Sequence, residues 1–137
     1  RNLALHEAFQ RCEAAFIEKA NVENLRDGTT AVVALVDSNH LTVAHVGDSR
    51  AVLCRSGGTT QELTHDHSPD LKEERDRVEA AGGFVVERHG CLRVMGRLGL
   101  TRAIGDRGQR LWPARSEICA SASPIPEIAL WLVGAVS

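Results

Sequence analysis

Apolar residues open the 137-residue chain at spacings of three and four. Leu5, Ala8, Phe9, Cys12, Phe16 and Ala20 share one face of a helix predicted over 3–20, with Glu7, Arg11, Glu13, Glu18 and Lys19 mostly outside it. The polar segment from Asn21 to Gly28 ends in Asp-Gly, a break signal. Thr29 to Val36 is then an almost unbroken run of Ala, Val, Leu and Thr, which predicts a strand buried on both faces. A short polar loop, Asp37 to His40, leads to a second strand at Leu41–Val46, and a hairpin is the economical connection. Gly47-Asp48-Ser49 interrupts the apolar pattern before a short run from Ala51 to Cys54. Ser56-Gly57-Gly58 is a turn, and Thr59–Thr64 reads as a weak strand.

A second helix is predicted over 68–83. Pro69 suits a first turn, Asp70 with Glu73 has capping-box spacing, and Gly82-Gly83 ends the helix. Leu71, Val78 and Ala81 supply its apolar stripe. Phe84–Glu87 and Cys91–Val94 form a strand pair around His89-Gly90. Arg107 to Ser123 mixes Arg, Ser, Trp and Pro without clear periodicity. Connections this short favour antiparallel pairing, so the predicted fold class is α+β and not a parallel βαβ sheet.

Composition narrows the function classes. A chain that is 43% hydrophobic and 25% charged is globular, not disordered. With 18 acidic and 16 basic side chains the formal charge is −2, which makes no electrostatic case for a nucleic-acid partner. The longest apolar run, Ile128 to Val136, is about half the length of a membrane helix, so no membrane partner is expected either. Cys12, Cys54, Cys91 and Cys119 form no C-x-x-C pair and read as buried, reduced thiols of an intracellular protein, cytoplasmic or nuclear. The chain begins on Arg1, within the first helical pattern, and holds a single Met, Met95; it reads as a fragment.

Among residues able to do chemistry, Asp48 stands where an apolar strand ends, so its carboxylate can be presented at a sheet edge. Hard cations such as Mg²⁺ or Mn²⁺ take carboxylates there, although a turn Asp bonding to nearby amides has the same signature. One carboxylate is also far short of the roughly six oxygens such a cation takes. In His65-Asp66-His67 the two histidines share a face on an extended stretch while Asp66 points away. No third His or Cys lies at ligand spacing, so loop structure outweighs zinc. His45, inside an apolar strand, reads as a satisfied core or edge histidine. Arg93, Arg97 and Arg102 could bind a phosphate group, yet arginines at the ends of short strands commonly make ion pairs. The glycines at 82–83, 96, 99 and 105 match no phosphate-binding loop, and no nucleophile motif is present.

Six strings occur together in order: Gly28-Thr29-Thr30-Ala31, Val46-Gly47-Asp48-Ser49-Arg50-Ala51-Val52-Leu53, Leu63-Thr64-His65-Asp66-His67-Ser68-Pro69, Glu74 through Gly83, Arg93-Val94-Met95-Gly96 and Leu100 through Asp106. In combination they resemble the metal-dependent Ser/Thr protein phosphatases of the PP2C (PPM) family. The resemblance is strong over 3–106, irregular or inserted over 107–123, and weak over 124–137, where Pro124-Ile125-Pro126-Glu127-Ile128 is a faint return. It implies a β-sandwich of two antiparallel sheets flanked by helices, only partly represented in 1–137. It also implies two Mg²⁺ or Mn²⁺ ions, phosphorylated proteins as substrates, and direct attack of a metal-bridging water on phosphorus. Asp48 inherits a place in a further, weaker metal site beside the catalytic pair. No residue of this chain inherits a catalytic role.

The departures carry information as well. The family's Asp-Gly-His-Gly type string would precede Arg1, and its Ser-Asp-Gly and Asp-Asn strings would follow Ser137. The stretch from Arg107 to Ala122 resembles an insertion, a retained non-coding stretch or a frame error. The resulting expectation is a phosphatase parent with this piece inactive alone. The alternatives are a non-catalytic PP2C-like interaction module and a truncated product.

Overall fold

The computed structural model describes residues 2–38, 40–106 and 128–133. The irregular stretch assigned to 107–123, the return at 124–127 and Cys119 lie outside the described residues. Two helices, α1 (Asn2–Glu23) and α2 (Lys72–Ala80), accompany nine strands. These are β1 (Gly28–Thr29), β2 (Ala31–Asp37), β3 (His40–Val46), β4 (Arg50–Arg55), β5 (Thr60–Glu62), β6 (Val85–Arg88), β7 (Cys91–Val94), β8 (Ile104–Gly105) and β9 (Ile128–Val133). Every strand pair among the described residues is antiparallel: β1 with β8, β2 with β3, β4 with both β5 and β9, and β6 with β7. The fold class is α+β, as the short connections predicted. Among the described residues no helix is long and apolar enough to cross a membrane.

The predicted hairpin is β2–β3, in a register that pairs Ala31 with Val46 and Asp37 with His40. Its two faces meet different layers. Leu41 and Val43, with Val32 and Ala34 of β2, pack on Ala51 and Leu53 of the second sheet and on Leu63 just after β5. Ala44 and Val46, with Ala31, lie under Phe9 and Leu5 of α1 and against Ile104. The layer order is thus helix, sheet, sheet, and each layer buries one apolar face of its neighbour.

One strand expectation exchanges places with its neighbour. The near-continuous apolar run in β2 predicted burial on both faces, but Val33 and Leu35 remain 41% and 42% exposed. Leu41–Val46 is the stretch buried throughout. The reason is coverage: α1 reaches Ala31, Ala44 and Val46 and leaves Val33 and Leu35 beyond its cover. Strand β3 lies between α1 and the second sheet, so even Thr42 and His45 are buried there.

Helix α1 runs slightly beyond its predicted span. Phe9 and Ala20 are buried, whereas Ala8 and Cys12, on the flank of the stripe, are exposed. The buried-thiol expectation fails accordingly. Cys12 and Cys91 are exposed and Cys54 is half-buried, although all three are free thiols. Helix α2 is shorter than predicted. Leu71 occupies its N-cap with extended backbone and no side-chain cap bond, so the Asp70–Glu73 capping box does not form. Ser68 instead accepts the Asp70 amide, making a turn ahead of the helix. Leu71 is exposed, and Val78 alone of the predicted stripe is fully buried. The glycine stop is as predicted: Gly83 N–H donates to Val78 O and Gly82 N–H to Glu79 O, the paired bonds of a Schellman motif.

A candidate metal-ligand turn and its buried support

Asp48 sits in the turn between β3 and β4, and the backbone of that turn is strongly specified. Gly47 has φ +91°, in the left-handed region, and a Cβ there would overlap the Thr30 side chain. Thr30 Oγ1 and Ser49 Oγ share a hydrogen bond of 2.8 Å, tying the start of β2 to the far side of the turn. Gly47 N–H donates to His67 Nδ1 at 3.0 Å, and His67 N–H donates to Gly47 O, also at 3.0 Å. Asp48 itself is half-buried, and its Oδ1 is buried with no hydrogen-bond partner among the described residues. Turn aspartates ordinarily satisfy that oxygen on a local amide.

The histidine cluster serves this turn. His67 is buried and stacks on His45, with ring centroids 4.4 Å apart and planes 6° from parallel. His45 Nε2 lies 2.7 Å from His65 O. Burial, and next the neighbouring His45, push the His67 imidazole down to about 3. Nδ1 therefore stays an acceptor for Gly47 throughout the neutral range. His65 is exposed while His67 is buried, so the two do not share a face as extended spacing predicted. His67 also bonds Gly47 with its amide and Thr101 N–H with its carbonyl, the latter at 2.8 Å. Asp66 points elsewhere and accepts two bonds of 2.7 Å from the Arg50 Nε and Nη2. That fork holds the Asp66 carboxyl below its usual range. The loop reading of His65-Asp66-His67 thus accounts for the Asp66 and His67 side chains, with His65 left exposed.

Arg102, considered above as a phosphate ligand, is committed elsewhere. It is 4% exposed, and its Nε donates to Glu74 Oε1 at 3.2 Å and to Oε2 at 3.0 Å, with Nη2 also on Oε1. Arg77 Nη2 reaches Glu74 Oε2 at 2.9 Å and Thr101 O at 2.8 Å. Burial alone would raise the Glu74 carboxyl, but the bonds from Arg102, Arg77 and Thr101 outweigh it and hold the group well below its usual range. Sequence reasoning passed over Glu74. Its signals were the i, i+3 spacing to Arg77 and a place on a helix otherwise polar. Glu13, taken as solvent-facing, accepts Gly105 N–H at 2.7 Å and docks α1 on β8. Burial raises its carboxyl, against the lowering effect of that amide.

An open groove of about 770 Å³ runs between α2 and the 62–68 segment, with Arg50, Asp66, Asp70 and Lys72 on its walls. Asp48 does not line it. A divalent cation fits Asp48 as one ligand, because the buried oxygen is a donor that no group among the described residues uses. Among the described residues, however, no three His, Cys, Asp or Glu side chains are disposed to hold a metal ion. The described part of the chain offers one candidate ligand and does not by itself form a site.

Comparison with known proteins follows the same lines. The family model described as protein phosphatase 2C matches residues 2–124. The probable protein phosphatase 2C 59 of Arabidopsis thaliana is 44% identical over 104 residues, covering 76% of this chain and 33% of that protein. Human protein phosphatase 1F is 44% identical over 107 residues, covering 78% of this chain and 23% of that protein. Among solved structures, a C. elegans sex-determining protein superposes with a TM-score of 0.80 at 32% identity, over 89% of this chain and 30% of that one. The serine-threonine phosphatase 2C of Toxoplasma gondii shares the fold, with a TM-score of 0.72 at 21% identity over 96% of this chain and 46% of that one. The chain spans about a third or less of the length of these two curated relatives. With the match running from the first helix through the Asp48 turn and the Glu74–Arg102 pair, this chain belongs to the protein phosphatase 2C family.

Proposed function

We propose that this chain is part of a metal-dependent phosphatase that hydrolyses phosphoserine and phosphothreonine in proteins, with Mg²⁺ or Mn²⁺ as cofactor. Family membership supports the reaction class. The observation that carries the reading to a residue is Asp48, held in a clamped turn with one buried oxygen that no group among the described residues satisfies. Such a cation takes about six oxygens, more than the described residues gather around Asp48, and the reading takes the chain on its own as inert. The free thiols Cys12, Cys54 and Cys91 support work in a reducing compartment, the cytoplasm or nucleus.

The test compares this chain with the longer protein that contains it, using a phosphothreonine peptide and Mn²⁺ and reading released phosphate. The longer protein turns over, Asp48→Ala in it slows turnover and raises the Mn²⁺ requirement, and the chain alone releases nothing. Turnover by the chain alone that is lost on Asp48→Ala would sink the inert-fragment reading. A longer protein that binds partners without hydrolysis would replace the enzyme with an interaction module.

A further inference from the structure

The β6–β7 hairpin sorts its side chains by charge. Its register pairs Val86 with Arg93 and Arg88 with Cys91, so these four share one face, and Phe84 continues that row. Val85, Leu92 and Val94 share the opposite face with Glu87. Val94 is fully buried and Val85 and Leu92 are half-buried, so that second face is the packed one. The outward face therefore presents Phe84, 47% exposed, and Val86, 37% exposed, beside Arg88 and Arg93. The hairpin's carboxylate, Glu87, is on the other side.

The arginines here differ from three others in the chain. Arg50, Arg77 and Arg102 are each held by a carboxylate. Among the described residues Arg88, Arg93 and Arg97 have no carboxylate partner; Arg93 Nη1 only reaches Arg97 O, at 3.4 Å. Strand β6 has a single strand neighbour, β7, and Val85–Arg88 make no backbone bond outside the hairpin among the described residues. An open strand edge thus borders the row Phe84, Val86 and Arg88, with Arg93 on the same face across from Val86.

We infer that this hairpin face docks an extended acidic polypeptide segment. The occupant aligns along β6, with apolar side chains beside Phe84 and Val86 and carboxylates beside Arg88, while Arg93, across from Val86 on the same face, adds to the positive charge. Period-two spacing matches the row Phe84, Val86, Arg88, so a segment reading apolar-x-apolar-x-acidic places each group next to its complement. The positive sign of the face selects the acidic occupant and repels a basic one. The inference stands apart from the phosphatase reading, because binding is measured without catalysis.

The chain is titrated with a fluorescein-labelled peptide, Leu-Thr-Val-Thr-Glu-Ser-Glu-Gly, and with the counterpart carrying lysine for both glutamates. Fluorescence anisotropy is expected to give an affinity at least about tenfold tighter for the glutamate peptide, weakening as salt is raised. Arg88→Glu with Arg93→Glu is expected to abolish that preference, and Phe84→Ser to weaken binding of the glutamate peptide. Amide shift changes on the unaltered chain are expected within residues 84–97, which keeps the test decisive if a variant fails to fold. Equal affinity for both peptides, a folded double variant with undiminished binding, or shift changes centred elsewhere would each overturn the inference. A single-stranded oligonucleotide that binds the same face more tightly than the glutamate peptide would also overturn it, in favour of a nucleic-acid surface.

Discussion

His67 and Gly47 hold each other through two hydrogen bonds of 3.0 Å, one running from each amide. His67 is thereby the link between the Asp48 turn and the second half of the molecule, since its carbonyl also receives Thr101 N–H. Thr101 in turn touches Glu74, which anchors Arg102. A strand-end turn, a loop and a helix are thus joined by one continuous set of buried bonds.

Replacing His67 should expose this dependence. His67→Ala leaves the Gly47 amide without its acceptor, a cost of about 1–3 kcal/mol, and removes the stack on His45. His67→Asn, whose carbonyl can stand in for Nδ1, should recover part of the loss. Urea unfolding followed by circular dichroism measures both, and an Ala variant as stable as the parent would refute the clamp.

The same residue governs a pH response. Folded His67 stays neutral down to about pH 3, while the unfolded chain takes up its proton near 6.5. The unfolded state therefore binds more protons between these values. Its stability contribution is complete above pH 6.5 and is lost as pH falls toward 3, with a slope of at most about 1.4 kcal/mol per unit. Asp66 and Glu74, whose carboxyls are both lowered, act in the same direction only below about pH 4.5. Urea midpoints between pH 6.5 and 4.5 should fall in the parent, and His67→Asn should flatten that fall.

Glu74 and Arg102 should behave as a buried pair. Glu74→Ala strands the Arg102 charge in the interior and is expected to cost about 3–5 kcal/mol. Glu74→Leu combined with Arg102→Met should cost less than the sum of the single changes, because the buried Arg102 charge is no longer stranded and only the part-exposed Arg77 loses its carboxylate. Denaturant melts in a double-mutant cycle decide it, and additive losses would argue against the pairing.

Gly47→Ala should destabilise by about 1–3 kcal/mol, from positive φ and overlap with Thr30. Adding Thr30→Ala should restore a fraction only, since it relieves the overlap but not the backbone strain and forfeits the bond to Ser49. Thermal unfolding of the single and double variants measures the split.

The exposed side of β2 is a liability for the chain on its own. Val33 and Leu35 present an apolar surface on a strand whose outer edge has no strand partner among the described residues. Leu35→Lys should change stability by no more than about 0.5 kcal/mol and reduce light scattering during concentration. Unchanged scattering would locate the association elsewhere.

The pattern of apolar spacing foretold α1, the β2–β3 and β6–β7 hairpins and the glycine stop of α2 with boundaries a few residues out. Those features rest on interactions between residues close in sequence, where periodicity and turn chemistry are the cause. Burial assignments fared worse, as β2 and β3 show. An apolar run says what a strand can tolerate on each face, and only the position of α1 decides which strand is covered. Asp48 stood out from its place after Gly47, but its orphaned oxygen depends on which amides the turn leaves free.

Glu74, Arg102 and His67 mark the boundary most clearly. Twenty-eight residues separate Glu74 from Arg102 and twenty separate His67 from Gly47, so no local pattern announces either pair. The amino-acid order by itself determined the α+β class, the antiparallel connections and the strings that mark the family. The tertiary structure decided which charged side chains became interior supports and which, like Arg88 and Arg93, have no carboxylate partner among the described residues. The physical reason is that the state of a charge depends on the groups folded around it, and these come from distant parts of the chain.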